Sequence, residues 1–576
     1  MNELKDIKKL LSIFDKSFLS VAPLIGLFLI STLIDILSIA IIAPYISFLL
    51  NPDGQFFFQK IIYFNLKTYD YNSVLIFFSL ALIFIFFLKF ILALNVRYSI
   101  KKFTLNCRRD LQMKLLKSYQ SMSYSNFSSR GSADFIKNVR ELSGDCITTL
   151  DSCLRIASEA LVFTAVIIYL SWTQLLVVLT LLFLIIVFIS VHNFFLKPKT
   201  IRYGKNRVEA MSYIYQAVEE GLKGFKEIKI LNKEKYFKNM QKIGLDKVFN
   251  NELKSELIMF YPRYLYELII VIFIIVFVSI HISYGGNSTE LIPIVGTFAV
   301  ASLRIIPSMS IISTGFINIQ YSQFAIDIIN RDANLISEEK NLLKLKSINQ
   351  LDRKIDSIEL KDIKFKYPNS NNFIFENLNL IIKKNECVGI VGENGSGKTT
   401  LVDILLGLLK PKEGKILVNG SENNYFNLVT KKIGYIPQDH LIISGKIVDN
   451  ITLEIDESLI NQEKLHEAIT SANLNDLISQ LPQGTNTLIG KNGIRLSGGQ
   501  YKKLALARLF YHDKDILILD EATNSLDKNS EEIITNEIKR IKQNKTIIVI
   551  SHNSKALNAC DKILKIRNKR IEIHKN

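Results

Sequence analysis

Six long apolar runs constrain this chain more than any other feature of its sequence. A helix needs about 20 apolar residues to cross the hydrocarbon core of a bilayer. Residues 18–50, 74–100, 148–172, 174–196, 257–284 and 291–319 each supply such a run. Helices of a soluble core seldom stay apolar all round for so long, so the pattern predicts six membrane spans.

The connections set the orientation. Between spans two and three lie Lys101, Lys102, Arg108, Arg109, Lys114, Lys117, Arg130, Lys137 and Arg140. The stretch between spans four and five is richer still in basic residues, from Lys197 through Lys226 and Lys235 to Lys254. The opposite connections are nearly uncharged: 171–173 reads as a turn, and 284–290 holds no Lys or Arg. By the positive-inside rule the N-terminus, both long loops and the C-terminal half are cytoplasmic. Both loops are helix-permissive, so the spans beside them are expected to continue as helices well below the membrane. Such extensions can carry a force between a soluble motor and the bilayer.

The net charge of +17 is thereby explained by cytoplasmic loops, and no nucleic-acid partner is expected. The five cysteines, Cys107, Cys146, Cys153, Cys387 and Cys560, have no metal-ligand spacing and suggest a reduced compartment. The first seventeen residues carry Lys5, Lys8, Lys9 and Lys16 but no apolar core of a cleavable signal peptide. The expected organisation is a membrane domain over 1–325, a charged linker over 326–352 and a soluble domain over 353–576.

Within the soluble part, 358–365 and 387–391 read as strands. The second runs into Gly392, Glu393, Asn394, Gly395, Ser396, Gly397, Lys398, Thr399 and Thr400, followed by an apolar helix. This is G-x-x-x-x-G-K-[ST] in a strand–loop–helix context. The glycines let backbone N–H groups close around phosphate oxygens, and the helix N-terminus adds a favourable dipole. Lys398 suits the β- and γ-phosphates of ATP, and the Thr399 hydroxyl suits Mg²⁺. A second apolar strand, 516–519, ends in Asp520 and Glu521. Asp520 suits the Mg²⁺ shell, and Glu521 suits the base that polarises the attacking water.

Leu496-Ser497-Gly498-Gly499-Gln500, ahead of a helix over 501–510, resembles the signature motif of ABC ATPases. Around it, Tyr367 looks like the aromatic that stacks on adenine, and Gln438 like the Q-loop residue that touches Mg²⁺. Residues 524–527 look like the D-loop, and His552 like the switch histidine at the γ-phosphate. The resemblance implies an ABC exporter: an α-helical transmembrane domain of six spans fused to an α/β P-loop ABC ATPase domain. It also implies a homodimer, in which Ser497, Gly498, Gly499 and Gln500 of one chain cap ATP held by Lys398 of the other. Such exporters usually have Glu where this chain has Lys491. The reversal calls for an acidic partner such as Glu219 or Glu220.

Three membrane segments, 39–44, 221–231 and 299–308, resemble those of bacterial lipid-linked oligosaccharide flippases. That resemblance implies an inner-membrane protein carrying a polyprenyl-pyrophosphate-linked glycan; a lipid A, drug or peptide exporter is the alternative. Charges within the spans are costly unless they face a partner or a wet cavity. Lys89, Arg263 and Arg304 are therefore candidate cavity residues. Arg304 has no acid in its own span and suits pyrophosphate, although pairing with Asp35 or Glu159 on another span is the rival account. Arg155–Glu159 and Arg263–Glu267 are spaced for pairs within one helix. Residues 55–66 could form an external amphipathic helix lying in the lipid interface.

Overall fold

The computed structural model describes residues 18–50, 71–173, 194–283, 288–344, 355–367, 370–422, 432–490, 493–522, 528–551, 557–567 and 569–575, with a few single positions between them. The chain divides into two compact units near residue 340.

In the membrane unit five of the apolar runs lie in helices, α1 (Ala22–Leu50), α2 (Tyr71–Gln120), α3 (Ser143–Thr173), α5 (Glu234–Ser283) and α6 (Ser288–Lys344), and the basic stretch between α3 and α5 forms α4 (Lys197–Lys223). Among the described residues, five helices are long and apolar enough to cross a membrane. The remaining expected span, 174–196, lies mostly outside the described residues. Helices α2 and α5 are each 50 residues long, so they continue far past a bilayer core into the basic loop sequence. No Gly or Pro interrupts α2, which removes the usual causes of a break.

Two expectations need correction. Residues 171–173 are the last residues of α3 rather than a turn. Helix α6 continues to Lys344, into the segment expected as a linker. The reason is burial: Asp332 on α6 is fully enclosed and accepts hydrogen bonds from Tyr119 Oη at 2.9 Å and Asn138 Nδ2 at 3.2 Å. Arg130 Nη1 pairs with the same carboxylate at 2.8 Å. The start of that charged stretch, at Asp332, is thus packed helix. Asn138 belongs to a π-helical turn, Asn138–Leu142, which leads into α3. The 55–66 segment falls outside the described residues.

The second unit is an α/β domain. A small antiparallel sheet has the order β2–β1–β4, from Phe375–Lys383, Ser357–Phe365 and Glu413–Val418. The main sheet contains β3 (Cys387–Gly392), β5 (Ile433–Ile436), β6 (Ile516–Asp520), β7 (Thr546–Ile550), β8 (Lys562–Arg567) and β9 (Arg570–Lys575). Its order is β9–β8–β3–β7–β6–β5, parallel except for β9. Helix α7 (Lys398–Leu405) follows β3, α8 (Gly498–Tyr511) precedes β6, and α9 (Lys528–Ile541) follows it.

Both faces of the main sheet are covered, as a parallel sheet requires. Alternation divides the strand side chains between two cores. Val388, Ile390, Ile516, Ile518, Ile548 and Ile550 enter one. Cys387, Leu517, Leu519, Ile547 and Val549 enter the other. The continuous apolar runs read from the sequence are these doubly covered strands.

Candidate functional site

Ligands of open parallel sheets bind beyond the carboxyl ends of the strands. Here those ends deliver the phosphate loop after β3, Asp520 and Glu521 at the end of β6, and Gln438 just past β5. Gly395 and Gly397 have φ of +81° and +102°, which favours glycine. A Cβ on Gly397 would also meet Ile374 at 2.8 Å and Phe375 at 2.9 Å. Lys398 begins α7 and donates to the Gly392 and Glu393 carbonyls at 2.6 and 3.2 Å. The Ser396 hydroxyl is buried without a hydrogen-bond partner among the described residues. A loop of this shape, with an orphan hydroxyl and no side-chain cap on α7, fits the phosphates of ATP.

The acidic side is crowded. Burial, then the neighbouring Glu521, raises the Asp520 carboxyl above its ordinary range. Burial, then Asp520, pushes Asp403 up to about 6. Burial, then Asp520 and Asp403, raise the phenol of half-buried Tyr435 above its usual range; its hydroxyl approaches Asp520 Oδ2 at 3.4 Å. A divalent cation would relieve this crowding. Asp520, Gln438 and the Thr399 hydroxyl are hard oxygen donors that suit Mg²⁺.

Glu521 is held from several sides. Its φ is +52°, a left-handed conformation that a non-glycine residue seldom adopts without constraint. Its N–H donates to the Ile550 carbonyl at 2.9 Å. Gln438 Nε2 donates to its carboxylate at 3.2 Å, and Lys502 Nζ to its carbonyl at 3.2 Å. Burial lowers the Lys502 ammonium, with Glu521 opposing. The structure thus brings Gln438 and Glu521 together. Tyr367 Oη lies 3.1 Å from the Thr400 hydroxyl. Ser497 caps α8 and exchanges hydrogen bonds with Gln500, at 2.7 Å from its own N–H and 3.3 Å to its hydroxyl. Gly498 and Gly499 form the first turn of that helix. His552, residues 524–527 and Lys491 lie outside the described residues.

Asp403, Tyr435 and Lys502 were missed by the sequence reading. Asp403 did leave a signal, a carboxylate within the apolar run 401–409. Glu219, offered as a partner for Lys491, is engaged within the membrane unit. It pairs with Lys223 at 2.6 Å and accepts from the Ser132 hydroxyl and the Ala133 N–H.

The candidate membrane cations are all paired. Arg304 Nη2 lies 2.9 Å from Asp35 Oδ2, and its Nη1 lies 3.3 Å from Glu159 Oε2. Lys89 lies 2.9 Å from Asp35, and Arg263 lies 3.2 Å from Glu267. For Arg304 this supports the rival account, pairing across spans, and corrects its choice as a free contact for cargo. Arg155 pairs with Asp151 at 2.8 Å rather than with Glu159. Glu159 instead turns to Arg304 and accepts from the Ser308 hydroxyl at 2.8 Å.

Comparison with known proteins agrees with both units. Residues 375–524 match the ABC transporter family, and residues 37–295 match the ABC transporter transmembrane region. The alpha-hemolysin translocation ATP-binding protein of Escherichia coli O157:H7 is 37% identical over 213 residues, 37% of this chain and 30% of the relative. ABC transporter B family member 29, chloroplastic, of Arabidopsis thaliana is 38% identical over 226 residues, 39% of this chain and 36% of the relative. The matches span about a third of the length of these relatives. A solved bacterial Atm1-family ABC exporter with ATP bound superposes with a TM-score of 0.74 at 18% identity, covering 97% of this chain and 96% of that one.

Proposed function

We infer from the ABC exporter fold of this chain, a helical transmembrane domain fused to an ABC ATPase domain, that it hydrolyses ATP to drive export of an amphipathic substrate. The observation that carries the inference is the convergence at three parallel strand ends of the phosphate loop, the Asp520–Glu521 pair and Gln438. Lys398 and the loop N–H groups bind the phosphates, and Tyr367 stacks on adenine. Thr399, Asp520 and Gln438 hold Mg²⁺, which supplies charge neutralisation at the transferred phosphoryl group. Glu521, oriented by Gln438, accepts a proton from the attacking water, and His552 contacts the γ-phosphate. Each chain carries one phosphate loop and one signature segment, so two chains form two composite sites.

The finer reading is a homodimeric flippase of a bacterial inner membrane, moving a polyprenyl-pyrophosphate-linked oligosaccharide to the outer leaflet. Its support is the resemblance of three membrane segments. Names of relatives such as the hemolysin translocator favour a second reading, export of a polypeptide. Purified protein in proteoliposomes decides between them. Sustained Mg²⁺-dependent ATP turnover with movement of a labelled lipid-linked glycan supports the flippase. Turnover with movement only of a peptide, drug or lipid A supports the alternative exporters. Absence of turnover sinks both.

A further inference from the structure

A base can act only if its carboxylate is aimed, and for Glu521 the aim is set by the backbone. Its φ of +52° lies in the left-handed region, which a Cβ disfavours. Such a conformation persists only where the surroundings over-determine it. The Glu521 N–H belongs to the peptide plane before the residue, and it donates to the Ile550 carbonyl of β7 at 2.9 Å. The Glu521 carbonyl belongs to the plane after it, and it accepts from Lys502 Nζ at 3.2 Å. Because each peptide unit is planar, holding both planes fixes φ and ψ together. Gln438 Nε2 then meets a carboxylate whose direction is already set, at 3.2 Å.

The second hold comes from an uncommon donor. A lysine ammonium ordinarily snorkels to water on its flexible stem. Here it is half-buried and turned inward, in a charge-assisted bond that is stronger than one between neutral groups. Its stem rises from α8, where Leu504 and Leu506 are buried in the same core as Leu519 of β6 and Val549 of β7. Donor and acceptor therefore stand on elements packed into one block, as precise positioning requires. Helix α8 also begins at the signature segment, capped by Ser497, and Lys502 follows Gln500 by two residues. We propose that Lys502 is a positioning residue for ATP hydrolysis: from the helix that carries the signature segment, it holds the Glu521 backbone so that the carboxylate faces the attacking water. This rests on the reading of Glu521 as the base.

The test measures ATP binding and phosphate release by the full chain in lipid nanodiscs. Lys502→Met keeps the stem and removes the ammonium. Its kcat should fall about tenfold while its affinity for ATP stays within about two-fold of the wild type. Lys502→Arg retains a donor and should recover at least about a third of the wild-type rate. Thermal melting is the folding control, and the Arg variant keeps the test decisive should the Met variant unfold. The sharpest measurement is single-turnover hydrolysis by Glu521→Gln with and without Lys502→Met. A residue that acts through the Glu521 carboxylate has nothing to position once that base is gone, so the two residual rates should agree within about two-fold. A further loss of about tenfold in the double variant overturns the proposal, because Lys502 would then act through the signature segment or the fold. A wild-type kcat in Lys502→Met overturns it as well, as does a fall in ATP affinity that matches the fall in kcat. So does Lys502→Arg as slow as Lys502→Met. Near-wild-type turnover by Glu521→Gln defeats the reading of Glu521 as the base. An inactive Glu521→Gln beside an unimpaired Lys502→Met defeats the role of Lys502 alone.

Discussion

Glu521 sits in a strained backbone conformation, hydrogen-bonded by Gln438 and tethered through its carbonyl to Lys502. Glu521→Gln keeps the shape and removes the base, so ATP binding should persist while hydrolysis falls by about two to four orders of magnitude. Nucleotide-binding and phosphate-release assays on one preparation check this; near-wild-type turnover would rule out the role. Asp403 yields a pH prediction for Mg²⁺- and nucleotide-free protein. Its carboxyl is raised to about 6 in the fold from an ordinary 3.8, so the folded state binds the extra proton between those values. Stability from this group is therefore present at low pH and is lost as pH rises from about 4 to 6. Asp403→Asn should stabilise the soluble unit by on the order of 2–3 kcal/mol at pH 7.5 and by little at pH 4. Equal gains at both pH values would refute the assignment. The phosphate loop and the acidic pair were legible because their residues are contiguous. The Asp403–Asp520–Tyr435 cluster was not, since it joins side chains from three elements.

Arg304 shows the same limit at the level of elements. Hydropathy located its helix but could not say which face met Asp35 of α1 and Glu159 of α3. It also could not choose between two acids spaced four residues either side of Arg155. The structure gives Asp151 to Arg155 because Glu159 is drawn across to Arg304. The pair network makes Arg304 a tie between helices. Arg304→Ala leaves Asp35 with Lys89 alone and Glu159 with the Ser308 hydroxyl in place of a cation, and should cost about 3–5 kcal/mol. Expression, melting temperature and ATPase activity should decline together. A well-folded variant that loses only transport would restore the cargo role. Within the described residues the apolar runs correctly announced five helices, yet the charged stretch after residue 326 was misleading. Its Asp332 is buried among Tyr119, Asn138 and Arg130, contacts that no local pattern records.

At the scale of the whole molecule, stoichiometry is the main expectation. In mixed dimers with Lys398→Ala in one chain and Ser497→Ala in the other, both lesions should fall in one composite site. The second site stays intact, so about half of the nucleotide capacity should survive. Cross-linking of residue 398 to residue 497 within a single chain would contradict this pairing. The long helices of the membrane unit carry a further consequence. Helix α2 has 50 residues, so at 1.5 Å per residue it is about 75 Å long, against about 30 Å of hydrocarbon. Roughly 45 Å of it is then a lever arm outside the core, by the same dimensions. A tilt of about 10° within the membrane would swing the free end through about 8 Å on that length. A movement of a few ångströms at the far end therefore becomes a rotation of only a few degrees among the spans, traded for a proportionally larger force.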